Sequence, residues 1–348
     1  MKFRLCVLGL LGIGAASSFA QPVAGYVDDF EVLGNTNFWT GGASPVQVPD
    51  GGPNGTGDGF LRLTSTGGLG AGGHMASYND NFWVGNFQSS TVRVVRVDYK
   101  NLGLNSLKMR LVLFGSGGSR YVSSNAFTLP VGSSWGSYYY TLRQDQFTLA
   151  SGSESWSDVF SLVFRFMIRH NTSVSSQGEP VNGILGLDNI TMLETVPVFA
   201  SAYTLVSGQP FGGDLNSLRA SDDDPLYILN DESGPNAEVT IDGQVNILPG
   251  NFSQLKFIVE CSATRNDLVG FVDARNFVNN TWTSLGTFTT TEPDVTRTFT
   301  TSSGLNTLIR NTSVPTVRSR VRFIPAEDLV AEDGWSERID FVKWELVP

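Results

Sequence analysis

Segments of alternating apolar and polar residues recur along the chain. In residues 107–113, 162–169 and 317–323 every second position is apolar or small, and several of the positions between are lysine or arginine. This alternation is typical of strands in antiparallel sheets that turn one face to a core and the other to solvent. The residues predicted to face the core are Leu107, Met109, Leu111, Leu113, Leu162, Phe164, Phe166, Ile168, Val317, Ser319, Val321 and Phe323.

Glycine-rich and polar turn segments separate these strands, and the chain contains 38 glycines. Long windows with a helical period are absent from the sequence. Many short strands with such punctuation indicate a sandwich or a barrel. We therefore predict an all-β protein built from two antiparallel, jelly-roll-like β-sandwich domains.

A proline-containing segment near the middle of the chain suggests the boundary between the domains. A strand-like segment ends at Leu193, Pro197 follows, and a new series of strands begins near Ala202. We predict a first sandwich over residues 21–195, a linker over 196–201 and a second sandwich over 202–348. Both domains have ordinary sizes. The alternative is one large sandwich.

The first 20 residues have the organisation of a secretory signal peptide. Lys2 and Arg4 precede an apolar run over residues 5–16, and residues 18–20 (Ser-Phe-Ala) supply small residues for cleavage. The apolar run is shorter than the roughly 18 residues of a membrane span. We therefore expect export to the extracellular space, the cell surface or the periplasm, without a membrane span.

Charge and cysteine content narrow the function further. Removal of Lys2 and Arg4 from the 23 basic residues leaves 21 against 33 acidic ones, a net charge of −12. Such a field repels polyanions on average, so nucleic acid is not expected as a partner. The mature chain keeps a single cysteine, Cys261, which cannot form an internal disulfide and is predicted to be buried.

Several short motifs of the first half resemble those of a known class of domain. They are residues 26–31 (Tyr-Val-Asp-Asp-Phe-Glu), Trp39, Trp135, residues 138–140 (Tyr-Tyr-Tyr) and residues 186–190 (Gly-Leu-Asp-Asn-Ile). Together they cover residues 24–195 and resemble carbohydrate-binding-module-like and laminin type IV-like jelly rolls of secreted bacterial proteins. The resemblance implies a jelly-roll fold and a binding role.

The second half resembles an uncharacterised β-sandwich domain of secreted bacterial proteins. The resemblance rests on residues 220–224 (Ala-Ser-Asp-Asp-Asp) and 338–344 (Arg-Ile-Asp-Phe-Val-Lys-Trp). It implies no activity.

Two acidic residues of the first half form a candidate metal site. First and last strands of such sandwiches often lie side by side, which would bring Glu31 near Asp188. An aspartate within the apolar run 184–190 must be solvated, hydrogen-bonded or bound to a metal. Ca²⁺ prefers carboxylate and carbonyl oxygens, and the resemblance implies a structural Ca²⁺ at this place. The alternative is that Asp188 accepts backbone N–H groups in a turn.

Tyr139 is the candidate ligand-binding residue. The alternation in residues 135–143 places Trp135, Tyr138 and Tyr140 in the core, so that Tyr139 faces outward and could stack on a sugar ring.

A catalytic centre is not recognisable in the sequence. The two histidines, His74 and His170, are expected at the surface. We therefore expect a non-catalytic exported binding module for carbohydrate, such as a polysaccharide or cell-surface glycan, or for another cell-surface component. Two alternatives remain open, namely a structural or adhesive matrix protein and a polysaccharide lyase or hydrolase. The sequence predicts no particular oligomeric state.

Overall fold

A computed structural model describes residues 21–175, 177–230, 236–248, 252–310, 314–325 and 334–348. The predicted signal peptide, residues 1–20, lies outside the described residues. Within the described residues, no helix has the length and apolar character needed to cross a bilayer.

Two sheets form the first half of the chain. A six-stranded sheet has the order β10-β7-β6-β11-β4, with β8 beside β6, and a seven-stranded sheet has the order β17-β9-β5-β12-β3-β2, with β1 beside β12. A short helix, α1 (Trp156–Ser161), starts at Ser155 with a capping box to Asp158, and 3-10 turns occupy Ala71–Gly73 and Gln144–Gln146. The strands are β1 (Val27–Asp28), β2 (Val46–Val48), β3 (Phe60–Thr66), β4 (Ala76–Asn79), β5 (Val94–Asn101), β6 (Leu107–Gly115), β7 (Arg120–Ser123), β8 (Phe127–Leu129), β9 (Gly136–Thr141), β10 (Phe147–Ser151), β11 (Val163–His170) and β12 (Asn182–Leu193), with β17 (Asn246–Ile247) contributed by the second half.

The two sheets pack face to face over one hydrophobic core. Side chains at alternate positions of each strand point inward because successive residues of a strand face opposite sides. The core residues from the seven-stranded sheet include Leu61, Leu63, Val95, Val97, Tyr99, Leu185 and Leu187, and those from the six-stranded sheet include Leu107, Met109, Leu111, Leu113, Phe166 and Ile168.

Eleven hydrogen-bonded strands form the second half, and they enclose a second core. The one α-helix among its described residues is α2 (Leu305–Leu308), and a 3-10 turn spans Asn216–Leu218. The strands are β13 (Val196–Ser207), β14 (Gln209–Gly212), β15 (Leu226–Leu229), β16 (Ala237–Gln244), β18 (Gln254–Ala263), β19 (Leu268–Asn276), β20 (Thr281–Thr289), β21 (Val295–Thr301), β22 (Ile309–Arg310), β23 (Thr316–Pro325) and β24 (Ser336–Val347).

The predicted linker over residues 196–201 is wrong, because these residues begin strand β13. The first part of β13, from Val196 to Phe199, pairs with β24, and the part from Ala200 to Ser207 pairs with β16. β13 therefore joins the two layers of the second sandwich. The preceding strand does end at Leu193, as the sequence indicated.

The predicted all-β class and sandwich architecture are confirmed. The predicted inward positions of 107–113 and 317–323 are confirmed as well, since those side chains are buried. Phe164 was predicted in the core but is half exposed. A β-bulge between Val163 and Arg165 shifts the register, so Val163 takes the inward position instead.

Candidate functional site

The outer face of the six-stranded sheet carries a group of arginines and aromatic rings. We define the arginine face by Tyr78 on β4, Phe114 on β6, Arg120 on β7, and Arg165 and Arg169 on β11, together with Arg110 on β6. Cross-strand pairing joins Arg169 to Arg110 and Arg165 to Phe114, which places each pair on the same side of the sheet. On the same side of the sheet, Val112 of β6 pairs with Val122 of β7, and both side chains are buried beneath the polar groups.

Guanidinium groups stack on the aromatic rings of this face. The Arg165 guanidinium carbon lies 3.8 Å from the centre of the Tyr78 ring, and that of Arg120 lies 5.0 Å from the centre of the Phe114 ring. Such cation–π contacts keep planar groups parallel to the sheet surface. Phe164, which the bulge turns outward, adds an exposed ring next to Arg165. This part of the sheet surface therefore combines aromatic rings with N–H donors.

Arg110 and Arg169 occupy the buried part of the face. Arg110 donates to the carbonyl oxygens of Asn171, at 3.0 Å, and of Ser123, at 2.7 Å. Arg169 is 1% exposed, and neither its Nε nor its Nη2 has a hydrogen-bond partner. Burial and then the positive charges of Arg110 and Arg120 lower the pKa of Arg169 to about 10.

A second polar cluster surrounds Asp188 on the outer face of the seven-stranded sheet. Asp188 is buried and accepts the backbone N–H of Asn189 at 2.7 Å. The side-chain amide of Asn189 bridges Asp188 and Asp98, and Arg96 holds Asp98 through two hydrogen bonds. Asn189 has a φ of 46°, in the left-handed region that asparagine tolerates. The turn-like acceptor role considered for Asp188 is therefore present.

The structure also brings Glu31 into the electrostatic neighbourhood of Asp188. Burial raises the pKa of Asp188 to about 8, and the charges of Asp58, Asp98 and Glu31 add to the increase. Partial desolvation and a hydrogen bond to Asp58 raise the pKa of Glu31. The backbone N–H of Gly59 donates to the Glu31 carboxylate at 3.3 Å. Asp58 is a member of this cluster that the sequence did not single out.

The donor set of this cluster suits a hard cation, but the side chains do not already form a metal cage. Among the described residues, no three His, Cys, Asp or Glu side chains are grouped in a metal-binding arrangement. Carboxylate oxygens are the donors that Ca²⁺ prefers, and it fills the remaining positions with carbonyl oxygens and water. Burial is the largest cause of the raised pKa of Asp188, and the neighbouring carboxylates add to it.

Asp28 is a buried carboxylate that the sequence did not single out. Its Oδ2 accepts the indole N–H groups of Trp39 and Trp83, each at 2.7 Å, and its Oδ1 accepts the hydroxyl of Tyr26 at 2.9 Å. The pKa of Asp28 is raised by burial, against which these donors act. This carboxylate links the first strand to the aromatic part of the core. Its contacts are all internal, so its role is structural.

The predicted outward exposure of Tyr139 is wrong. Alternation does place Tyr139 on the side of β9 away from the first core, but the second sandwich covers that side. Tyr139 is 6% exposed and packs within the second core. β17 pairs in parallel with β9 at this point, matching Ile247 with Tyr139. Tyr139 also lines a cavity of 290 Å³ between the sandwiches, together with Phe199 and Arg219.

Trp135 was predicted in the core but lies half-buried on the outer side of the seven-stranded sheet. Its ring packs against Phe60 with the ring centres 5.5 Å apart, and its indole N–H donates to the carbonyl of Gly51 at 2.9 Å. The ring also covers Gly186, where a Cβ would approach it to 2.6 Å. Trp135 is therefore the more accessible of the two aromatic residues.

Cys261 and His170 are both buried in the structure. Cys261 is buried, as predicted, and burial raises the pKa of its thiol to about 12, so the thiolate is scarce at neutral pH. His170 was expected at the surface but is buried. Its Nδ1 accepts the backbone N–H of Lys108, and its Nε2 lies 3.1 Å from Glu179.

Comparison with known proteins identifies similar folds only. No protein-family model and no curated protein matches the chain. Among solved structures, the tandem CBM22-1–CBM22-2 domain of Paenibacillus barcinonensis Xyn10C is similar over 94% of this chain and 100% of its own, with 10% identity and a TM-score of 0.32. The family 11 carbohydrate-binding module of Clostridium thermocellum, solved with a β-1,3-1,4-mixed-linked tetrasaccharide, is similar over 50% of this chain and 97% of its own, with 16% identity and a TM-score of 0.33.

An exo-β-agarase is similar over 48% of this chain but only 24% of its own length, with 16% identity and a TM-score of 0.37. Carbohydrate-binding modules are the class that residues 24–195 resemble in sequence. These similarities assign this chain no ligand.

Proposed function

We propose that the chain is an exported, non-catalytic carbohydrate-binding protein, and that the arginine face is its binding surface. The observation that carries this proposal is the stacking of Arg165 on Tyr78 and of Arg120 on Phe114 on the outer face of one sheet, with the exposed ring of Phe164 next to Arg165 in the chain. A sugar ring packs its C–H groups on an aromatic face and offers its hydroxyls to polar side chains. Guanidinium groups held flat on rings supply several donors in fixed directions.

The carboxylates beside this face support a binding role over a hydrolytic one. Asp80 is paired with Arg165 at 3.0 Å, and Glu179 is 3.1 Å from His170 and also accepts the hydroxyl of Thr172. A glycosidase needs two carboxylates flanking the scissile bond, one of them free to donate a proton. Both carboxylates here hold neighbouring side chains instead. A polysaccharide lyase or hydrolase and an adhesive matrix protein remain the alternatives.

Removal of exposed aromatic surface should weaken binding without unfolding the protein. We expect Phe164→Ala and Tyr78→Ala each to reduce affinity for a polysaccharide about tenfold. The first variant loses an exposed ring, and in the second Arg165 loses the ring on which its guanidinium stacks. Affinity electrophoresis in gels containing each polysaccharide measures the change, and thermal unfolding checks the fold.

Phe211→Ala is the matched control for the aromatic variants. Phe211 is 70% exposed on the second sandwich, so its removal should leave binding unchanged. The proposal would be abandoned if no glycan bound the wild type, or if all three variants bound alike. Release of reducing or unsaturated sugars would favour the enzyme alternative, and self-association without glycan binding would favour the matrix alternative.

We also propose that Glu31 and Asp188 share a structural Ca²⁺ that stabilises the first sandwich. Glu31 and Asp188 come from the first and last strands or their ends, and β1 pairs directly with β12 through Asp28 and Ile190. An ion bridging these carboxylates would tie the two ends of the domain together. Its remaining coordination positions would be filled by carbonyl oxygens and water.

Calcium should stabilise the protein more strongly at pH 8 than at pH 5. The pKa of Asp188 is raised from an ordinary value of 3.8 to about 8 in the folded protein. Between these values the folded state keeps a proton that the unfolded state releases, so metal-free protein loses stability as pH rises from about 4 to 8. Ca²⁺ replaces that proton and removes the loss. Melting curves with calcium and with chelator, at each pH, measure the effect.

Asp188→Asn should remove both the calcium response and the loss of stability across this pH interval. Asp145→Asn is the control, because Asp145 lies in a surface ion pair with Arg143 and should leave both unchanged. Saturation at a hundredfold excess over Kd stabilises by about 2.7 kcal/mol. Identical melting temperatures with and without chelator at pH 8 would contradict the site.

A further inference from the structure

Arg169 sets the arginine face apart from an ordinary polar sheet surface. A buried guanidinium with unused N–H donors is costly, because a charge removed from water needs a partner of opposite charge. More than nine-tenths of the Arg169 surface is buried, and its Nε and Nη2 have no hydrogen-bond partner. The nearby charges that lower its pKa are both positive, from Arg110 and Arg120. The Nε–H and Nη2–H groups of Arg169 therefore have no hydrogen-bond acceptor.

On one strand of the second sandwich, neighbouring acidic side chains neutralise a row of arginines. Strand β23 carries Arg318, Arg320 and Arg322 on one face, and each has an acidic partner. Arg318 lies 2.5 Å from Asp242, and Arg320 lies 2.8 Å from Asp273. Arg322 reaches the same Asp273 at 3.4 Å. The sequence has 33 acidic residues, but none of those that the structure describes forms an ion pair with Arg169.

We infer that the arginine face binds an acidic polysaccharide, and that a carboxylate or sulfate group of the sugar supplies the missing acceptor beside Arg169. This inference rests on the proposed function and names its ligand class. Arginine forms bidentate, charge-assisted hydrogen bonds with planar carboxylates and with sulfate-like oxyanions. The half-buried Arg120 and Arg165 would contact further anionic groups along the chain, while Tyr78 and Phe114 hold the guanidinium planes against which sugar rings pack.

The protein is acidic overall, and the positively charged arginine face is a local exception to that net charge. At a net charge of −10, long-range attraction does not concentrate polyanions around the molecule. Recognition would depend on short-range contacts to the guanidinium groups, within about 8–10 Å at physiological ionic strength. That favours an acidic sugar polymer with charges spaced by neutral ring surface over the dense phosphate backbone of a nucleic acid.

The decisive probe is a matched pair of polymers that differ in charge alone. Polygalacturonate and its fully methyl-esterified form share one backbone, and dextran sulfate with dextran provides the corresponding pair for sulfate. We expect at least one charged polymer to bind at least tenfold more tightly than its neutral partner, with affinity falling as salt rises. Binding of the polygalacturonate pair alone identifies a uronate ligand, and binding of the dextran pair alone identifies a sulfated one.

Two variants connect that charge preference to this face. Arg169→Gln should reduce binding of the charged polymer at least tenfold and leave weak binding of the neutral one unchanged. Since removal of a buried arginine can disturb folding, Arg165→Gln provides a second variant at a half-buried position. Arg322→Gln on the second sandwich is the control and should change nothing.

The outcomes separate this inference from the proposed function. Equal binding of charged and neutral polymers, reduced by Phe164→Ala, would overturn the acidic ligand and keep carbohydrate binding. Binding of neither member of either pair, in a protein that also binds no other glycan, would overturn both. Tighter binding of single-stranded DNA than of either acidic polysaccharide would also overturn the inference.

Discussion

Replacement of Asp28 by alanine is expected to destabilise the protein by about 3–5 kcal/mol. The substitution removes the common acceptor of two buried indole N–H groups, from Trp39 and Trp83, and the partner of the Tyr26 hydroxyl. Hydrogen bonds to a charged group are worth about 1.5–3 kcal/mol, and each buried donor left without a partner costs about 1–3 kcal/mol. Denaturant unfolding followed by tryptophan fluorescence measures the loss.

Asp28→Asn is the matched control for this experiment. Both indoles donate to the same oxygen, so the asparagine carbonyl can accept both N–H groups while its amide faces Tyr26. The expected cost is therefore about 1–2 kcal/mol. Similar stabilities of the alanine variant and the wild type would show that the indole groups find other partners and that Asp28 does not organise the aromatic core.

The strand periodicity of the sequence was sufficient to predict which side chains of β6 and β23 face inward. It failed at Phe164, because the bulge of β11 between Val163 and Arg165 adds one residue there, so that Val163 and then Phe166 face inward. Bulges depend on the pairing of neighbouring strands, which the local pattern does not contain. The same bulge puts an exposed ring beside Arg165, and so contributes to the candidate binding surface.

The candidate site could be predicted only in part for a related reason. Alternation puts Arg110 opposite the core residues of one strand and Arg169 opposite those of another, 59 positions later. That the two strands are neighbours, and that no carboxylate of the described residues pairs with Arg169, follows only from the folded topology. In contrast, the proximity of Glu31 and Asp188 was predictable, because the pairing of first and last strands is a property of the expected fold. The calcium site itself stays a prediction.

Tyr139 illustrates how a correct strand assignment can give a wrong surface. The residue does face away from the first core, as alternation indicated. Its burial results from the second sandwich. The first strand of that sandwich, β13, follows β12 after only two intervening residues, and β17 lies beside β9. A sequence pattern describes the two sides of a strand, and does not state what a later domain will cover.

We therefore expect Tyr139→Ala to be the more damaging of two aromatic substitutions, with a loss of about 2–4 kcal/mol. Truncation of a buried aromatic ring typically costs about 3–5 kcal/mol, and the cavity already beside Tyr139 lowers the packing that can be lost. Trp135→Ala should cost about 1–2 kcal/mol, because its half-buried ring contributes one hydrogen bond to Gly51 and packing on Phe60.

Calorimetry of the two variants tests the interface as well as the residues. The wild type should unfold in one transition, because Tyr139 and Val94 of the first sandwich belong to the same apolar cluster as Val196, Val245 and Ile247. Loss of the Tyr139 ring should split this transition into two, since the contact that couples the sandwiches is weakened. Trp135→Ala should keep a single transition. If Trp135→Ala splits the transition while Tyr139→Ala does not, the second sandwich does not dock through β9 as described.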